Sequence, residues 1–169
     1  IILTASGLSD AASNNILSWT RKGGNLIVLS GATSWALRNN LVDIENMSID
    51  MDSLTENLDY HQMDEARGAQ AIGGSIFQVD LDTSHPIAYG LKDQMALFHQ
   101  GSTLYSFTGS PGQLIGSYSM NPLMSGYISE EKLAQLPGAA SVIATGEGRG
   151  NVIAFMERLN FRAYWYGSQ

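Results

Sequence analysis

The sequence predicts an α/β domain that opens on a parallel strand pair and closes on a β-hairpin. Three observations predict it. Ile1-Ile2-Leu3-Thr4 and Leu26-Ile27-Val28-Leu29 are continuous apolar runs with a helical pattern between them, an order that implies two parallel strands and a right-handed crossover. Near the other end, Ser141-Val142-Ile143-Ala144-Thr145 and Asn151-Val152-Ile153-Ala154-Phe155 flank the glycine-rich stretch 146–150, the pattern of two strands joined by a turn. At 169 residues, with 44% hydrophobic and 15% charged side chains, the chain fits one domain able to bury a core without disulfides or metal.

The elements follow in order. Ser9-Asp10 offers N-cap chemistry to a helix whose Ala12, Ile16, Leu17 and Trp19 form a core-facing stripe. Arg21-Lys22 suit its C-terminal dipole and Gly23-Gly24 end it. A further helix is expected over 34–39. Residues 40–70 hold eight carboxylates (Asp43, Glu45, Asp50, Asp52, Glu56, Asp59, Asp64, Glu65) against Arg67 alone, and read as a long surface excursion. One short helix is expected in it, through Leu54 and Leu58, with loose anchorage by Met47, Met51 and Met63. Burying those carboxylates unpaired would be costly, so the segment should face solvent. Strands are expected at 76–81, 95–98, 103–107 and 113–118, and a short capped helix from Ser129 to Leu133.

Composition excludes several functions. The net charge of −7 and pI of about 4.7 oppose phosphate backbones, and no Lys/Arg cluster offsets this, so nucleic acid is not an expected partner. With no cysteine there is no disulfide, thiolate metal site or thiol nucleophile. No apolar run reaches the roughly 18 residues of a membrane span. The chain starts within an apolar run and without Met, and reads as a fragment of a larger protein.

Few motifs carry chemistry. Gly146, Gly148 and Gly150 resemble a phosphate loop, but such loops precede a helix, and here a strand follows; the hairpin reading is favoured. Asp80, Asp82 and His85 have ligand-capable side chains, yet Asp and Ser at a strand end commonly close turns, and the turn reading is favoured over a metal site. His61 and His99 lack a paired ligand and read as solvated or satisfied in the core. The segment Leu29 to Trp35 has the strand-turn-helix setting of a serine elbow without the G-x-S-x-G motif, so Ser30 and Ser34 read as helix-capping residues before nucleophiles. The aromatic group Phe161, Tyr164, Trp165 and Tyr166 reads as packing before sugar or peptide binding.

Residues 148–155 (Gly-Arg-Gly-Asn-Val-Ile-Ala-Phe) with 160–167 (Asn-Phe-Arg-Ala-Tyr-Trp-Tyr-Gly) resemble the closing motif of class I glutamine amidotransferase-like domains appended to bacterial zinc carboxypeptidases. Residues 67–77, 82–90 and 121–127 are similar to further segments of that family, so the resemblance spans nearly the whole chain. It implies a flavodoxin-like fold: a mostly parallel sheet with helices on both faces, plus the C-terminal hairpin. It also implies a periplasmic or secreted parent, with a metallopeptidase domain on the amino-terminal side.

The amidotransferase Cys-His-Glu triad is missing: Ser30, Gly31 and Ala32 occupy the elbow after Leu29. No HxxE zinc motif is present either. The expectation is a non-catalytic accessory domain whose partner is the peptidase domain of the same chain, with no catalytic residue, metal ligand or cofactor here and zinc only in the parent's peptidase domain. The alternative is a module binding a peptide or cell-wall fragment where doubly wound sheets place ligands, beyond the carboxyl ends of the strands. Ser30, Gly31, Ser34 and Trp35 would then line the site. A cryptic serine hydrolase on Ser30 or Ser34 comes third.

Overall fold

The computed structural model describes residues 1–109 and 111–159. Strand β1 (Ile2–Leu3) leads to helix α1 (Asp10–Arg21), strand β2 (Asn25–Val28) and helix α2 (Thr33–Arg38). Strand β3 (Ile44–Met47) and helices α3 (Met51–Thr55) and α4 (Tyr60–Ala69) make up the acidic segment. Then come β4 (Ser75–Leu81), β5 (Gln94–His99), β6 (Leu104–Phe107), β7 (Gln113–Ser125), helix α5 (Glu130–Gln135), β8 (Ala140–Glu147) and β9 (Gly150–Phe155).

Local signals act where expected. The Ser9 hydroxyl accepts from the Ala12 amide and Ser129 accepts from that of Lys132, so both helices start on the predicted caps. β1 and β2 pair in parallel, Leu3 opposite Val28. The terminal hairpin forms with a tighter turn than expected: β8 and β9 pair as far as Glu147 and Gly150, leaving Gly148-Arg149 as the turn, with Gly148 at φ 63.

The sheet itself corrects the expected architecture. Its seven strands run in the order β1-β2-β9-β8-β7-β4-β5, and only β1, β2 and β9 are parallel neighbours; the other four pairings are antiparallel. It is therefore a mixed, mostly antiparallel sheet and not a mostly parallel flavodoxin-like one. The reason is that β4, β5, β7 and β8 follow one another without crossover helices long enough to return the chain in parallel. The thirteen-residue β7 bridges the halves, pairing with β8 through its first part and with β4 along its length, with register shifts on both sides. β3 and β6 form a separate two-stranded antiparallel sheet.

Three apolar clusters pack against the sheet. The first core cluster joins the sheet residues Leu26, Val28, Ile143, Val152 and Ala154 to Ile16 and Leu17 of α1, Trp35 and Ala36 of α2 and Tyr105 of β6. A second joins Phe77, Val79 and Tyr118 to Leu104 of β6 and Leu133 of α5. Leu81 and Val142 flank the same side of Gly116, so Phe77 and Val79 of the second cluster, which alternate with Leu81, lie on the Val142 side of the sheet, opposite Ile143 and Ala154 of the first. The third cluster, Ala88, Ile115, Val142 and Ala144 with Ile153 and Phe155, includes no residue of an α-helix. Over these strands the sheet meets the loop 82–91 through Ala88, while α5 lies with the second cluster over the neighbouring strands.

The acidic segment holds a strand and two helices instead of one helix in a loop. Leu41, Val42, Ile44 and Thr55 are buried and anchor it, a firmer attachment than the methionines alone. Seven of its carboxylates are exposed and Asp43 is half-buried, as the cost of burial requires. Asp50 caps α3, and Asp59 with Gln62 forms a capping box on α4.

Candidate functional site

The predicted site residues do meet at the carboxyl ends of β1 and β2, but they build packing there. The indole N–H of Trp35 donates to the Ser13 hydroxyl at 2.9 Å and the side chain is buried, which places it in the core between α1 and α2. Gly31 lies so close to the Thr4 carbonyl that a Cβ would collide with it. Ser34 is exposed and Ser30 half-buried, and neither side chain makes a hydrogen bond among the described residues. A serine nucleophile needs an adjacent base, and none is engaged here.

The turn reading of Asp82 and His85 is what the structure contains. The Asp82 carboxylate accepts from both the amide and the hydroxyl of Ser84, which, with the latter dominant, holds its pKa below the usual range. His85 accepts the Ile87 amide on Nδ1, at 3.3 Å, so its proton sits on Nε2, which donates to Gln113 Oε1 at 2.9 Å. Asp80 accepts instead from Gln94, at 2.8 Å. Among the described residues no three His or acidic groups converge to hold a metal ion.

These bonds pin the loop 82–91 across the sheet at Ile115, Val142 and Ala144, where two cavities adjoin and share Ile87 as a wall. One, of about 550 Å³, is lined by apolar groups such as Leu81, Leu91, Met95, Ile115 and Phe155, with Lys92 and Gln94. The other, of about 640 Å³, runs along Asn25, Ile27, Ala144, Asn151 and Ile153 and meets Gln113 and His85. Asn25 begins β2 and Asn151 is the second residue of β9, so this cavity lies at the amino ends of the parallel strands, opposite the end where the sequence placed a ligand. Size and lining suit a binding site. Sequence alone missed it because a continuous apolar strand implies cover on both faces, and only the sheet order reveals which cover is missing.

Sequence reading also missed a buried polar cluster. Beyond β9 the chain crosses toward β5: the Met156 amide donates to the Ser141 carbonyl and the Arg158 amide to that of Phe98. Between them the Glu157 carboxylate, 1% exposed, accepts the Tyr118 hydroxyl and faces His99 Nδ1 at 3.0 Å. Phe77 packs edge-on against the Tyr118 ring. Burial foremost, with the Glu157 charge added, raises the Tyr118 pKa well above its ordinary value. His99 Nε2 is buried with no partner among the described residues. None of the three lines either cavity, so the cluster ties the chain's crossing to the core and does not face a ligand. His99 is thus core-satisfied on one nitrogen, one of its two sequence readings. The aromatic group 161–166 and the motif 160–167 lie outside the described residues.

No protein-family model matches the chain, and no curated protein does. Among solved structures it is similar to a β-galactosidase from Bacillus circulans sp. alkalophilus, with TM-score 0.53 and 9% identity over 92% of this chain and 19% of that one. A ThuA-like protein from Bacteroides uniformis gives TM-score 0.52 and 11% identity over 92% of this chain and 59% of that one. A cytoplasmic protein from Salmonella typhimurium gives 0.51 and 8%, over 92% and 58%. The chain thus spans 19 to 59% of these proteins, and at such identities the likeness establishes a shared fold alone.

Proposed function

We propose that the chain is a non-catalytic accessory domain of a secreted bacterial zinc carboxypeptidase, docked on the peptidase domain through the apolar sheet patch of Ile27, Ile153 and Phe155. The observation that carries this reading is the contrast between the two sides of the sheet. Over β2, β9 and β8 one side is covered by α1 and α2, while the other presents Ile27, Ile153 and Phe155 half-buried beside Ile87. Apolar sheet faces of this kind are normally covered, and contiguous exposed apolar area marks interaction surfaces. The sequence resemblance supplies the identity of the parent, and the lack of an engaged nucleophile at Ser30 and Ser34 supports a role without chemistry.

The test is sedimentation of this domain with the peptidase domain encoded in the same gene. A one-to-one complex is expected, lost in Ile153→Glu and Ile27→Glu variants that keep native circular dichroism. A gene lacking an upstream HxxE…H domain overturns the reading. So does hydrolysis of glutamine or peptides by the chain alone above a buffer control, or a complex indifferent to both substitutions.

A further inference from the structure

The β5 edge of the sheet adjoins the cavity of about 550 Å³. β5 is the last strand in the sheet order, and among the described residues β4 is the strand it pairs with, while Arg158 bonds to its outer edge at Phe98. Two hydrogen bonds fix which of its groups point outward. The Asp93 carbonyl accepts inward, from the Leu81 amide, whereas the Phe98 carbonyl accepts outward, from the Arg158 amide. Alternation along a strand then turns the amides and carbonyls of Gln94 and Ala96 to the open side. Four consecutive β5 residues, Gln94 to Leu97, line the cavity, although such residues alternate between faces. The cavity therefore wraps the outer edge of the strand.

Charge completes the site. Among the described residues that line this cavity Lys92, just before β5, is the cation; it is exposed and makes no hydrogen bond or ion pair among the described residues. No carboxylate is among the described residues lining either cavity, and those close by in sequence are engaged: Asp93 by the Thr83 hydroxyl, Asp82 by Ser84 and Asp80 by Gln94.

The geometry points to a peptide carboxyl terminus as the occupant. An extended peptide antiparallel to β5 would exchange main-chain hydrogen bonds with Ala96 and Gln94, place an apolar last side chain among Met95, Ile115 and Phe155, and bring its carboxylate to Lys92. Strand addition to an open edge supplies affinity through the main chain, and the adjoining pocket supplies specificity. A fatty carboxylate would satisfy the cavity and Lys92 but leave the outward amides unused. Residues 160–169 of this chain contain no acidic side chain to offer Lys92. This inference rests on the apolar sheet patch beside the loop 82–91 being a contact surface and names the chemistry received at one end of it.

The test is calorimetric titration with N-acetyl-Gly-Gly-Leu-Phe as free acid, as C-terminal amide, and N-methylated on the Leu amide. The free acid is expected to bind saturably, the amide at least tenfold more weakly, and the N-methylated peptide more weakly again than the free acid. Lys92→Met should erase the difference between acid and amide. Equal binding of acid and amide, indifference to N-methylation, or binding of decanoate in place of the peptide overturns the assignment, as does no binding at all. The sedimentation experiment separates the two proposals. A complex without peptide binding removes only this one, and peptide binding without a complex removes only the docked accessory role.

Discussion

Glu157 accepts the hydroxyl of Tyr118 in the interior, a bond between the segment beyond the last strand and the middle of β7. With the contact to His99 it leaves a buried carboxylate satisfied at both oxygens. Tyr118→Phe removes one donor while the charge stays buried, a loss of about 2 kcal/mol. The double variant with Glu157→Gln should lose less than the sum of the two single losses, because the residues share one interaction. Urea unfolding of the four proteins measures this.

The same cluster governs alkaline stability. A tyrosine whose pKa is raised in the folded state keeps its proton where the unfolded chain has lost it, so the contribution of Tyr118 is full below about pH 10 and falls as pH rises above that value. Tyr105 is raised in the same direction by burial. Phenolate absorbance should show Tyr118 ionising only as the chain unfolds. Ionisation of Tyr118 in the folded chain would contradict its burial.

Local elements were legible in the sequence and the sheet was not, for identifiable reasons. Ser9, Ser129 and the glycines of the terminal turn act within a few residues, and these elements form where expected. The pairing of Asn25 with Asn151, which inserts β9 beside β2, spans the chain and leaves no local pattern. β3 escaped because only the ends of Ile44-Glu45-Asn46-Met47 are apolar and its single partner is β6. Of the expected site, Trp35 sits at the predicted place, but its burial and its bond to Ser13 were not encoded in the spacing of 29–35. The cavities depend on which strands are left without a covering helix, a property of topology.

Lys132 is buried, and its ammonium donates to the carbonyls of Gln70 at 2.6 Å and Ser102 at 2.7 Å, joining the end of α4 to the loop before β6. Burial lowers its pKa, so the charged amine is held at a cost that the two bonds offset. Lys132→Met leaves two carbonyls without that donor, and a loss of about 2 kcal/mol is expected. Hydrogen exchange should show the loss concentrated in residues 70–72 and 101–104. An unchanged midpoint in urea would mean that water replaces the amine at no cost.

Asp82 titrates at the opposite end of the pH scale. Its bonds from Ser84 hold the folded pKa below 3.8, so its stabilising contribution is present above that value and is lost as pH falls through the lower folded one. Asp82→Asn should therefore lower the melting temperature slightly at pH 6, with the difference from the parent protein closing as pH falls through the lowered folded pKa. A pH-independent difference would assign the effect to turn geometry instead of charge. Because the turn positions His85 and Ile87, amide shifts of Ile87 should follow the same titration.

Gly31 tests whether the turn after β2 is packing or site. A Cβ there would meet the Thr4 carbonyl, which is backbone and cannot swing aside as a flexible side chain would. The β1 and β2 loops must separate to admit it, yet they are tied by the Leu29 amide to the Leu3 carbonyl at 2.9 Å and by Arg38 to the Ser6 carbonyl at 3.5 Å. Gly31→Ala should cost about 1–3 kcal/mol, the range for forcing an extra carbon into a packed contact. Ser34→Ala, at an exposed position with no hydrogen bond, should stay within about 0.5 kcal/mol of the parent protein. If the residues served a ligand rather than the fold, the order would reverse: Gly31→Ala would melt like the parent, and Ser34→Ala would change binding.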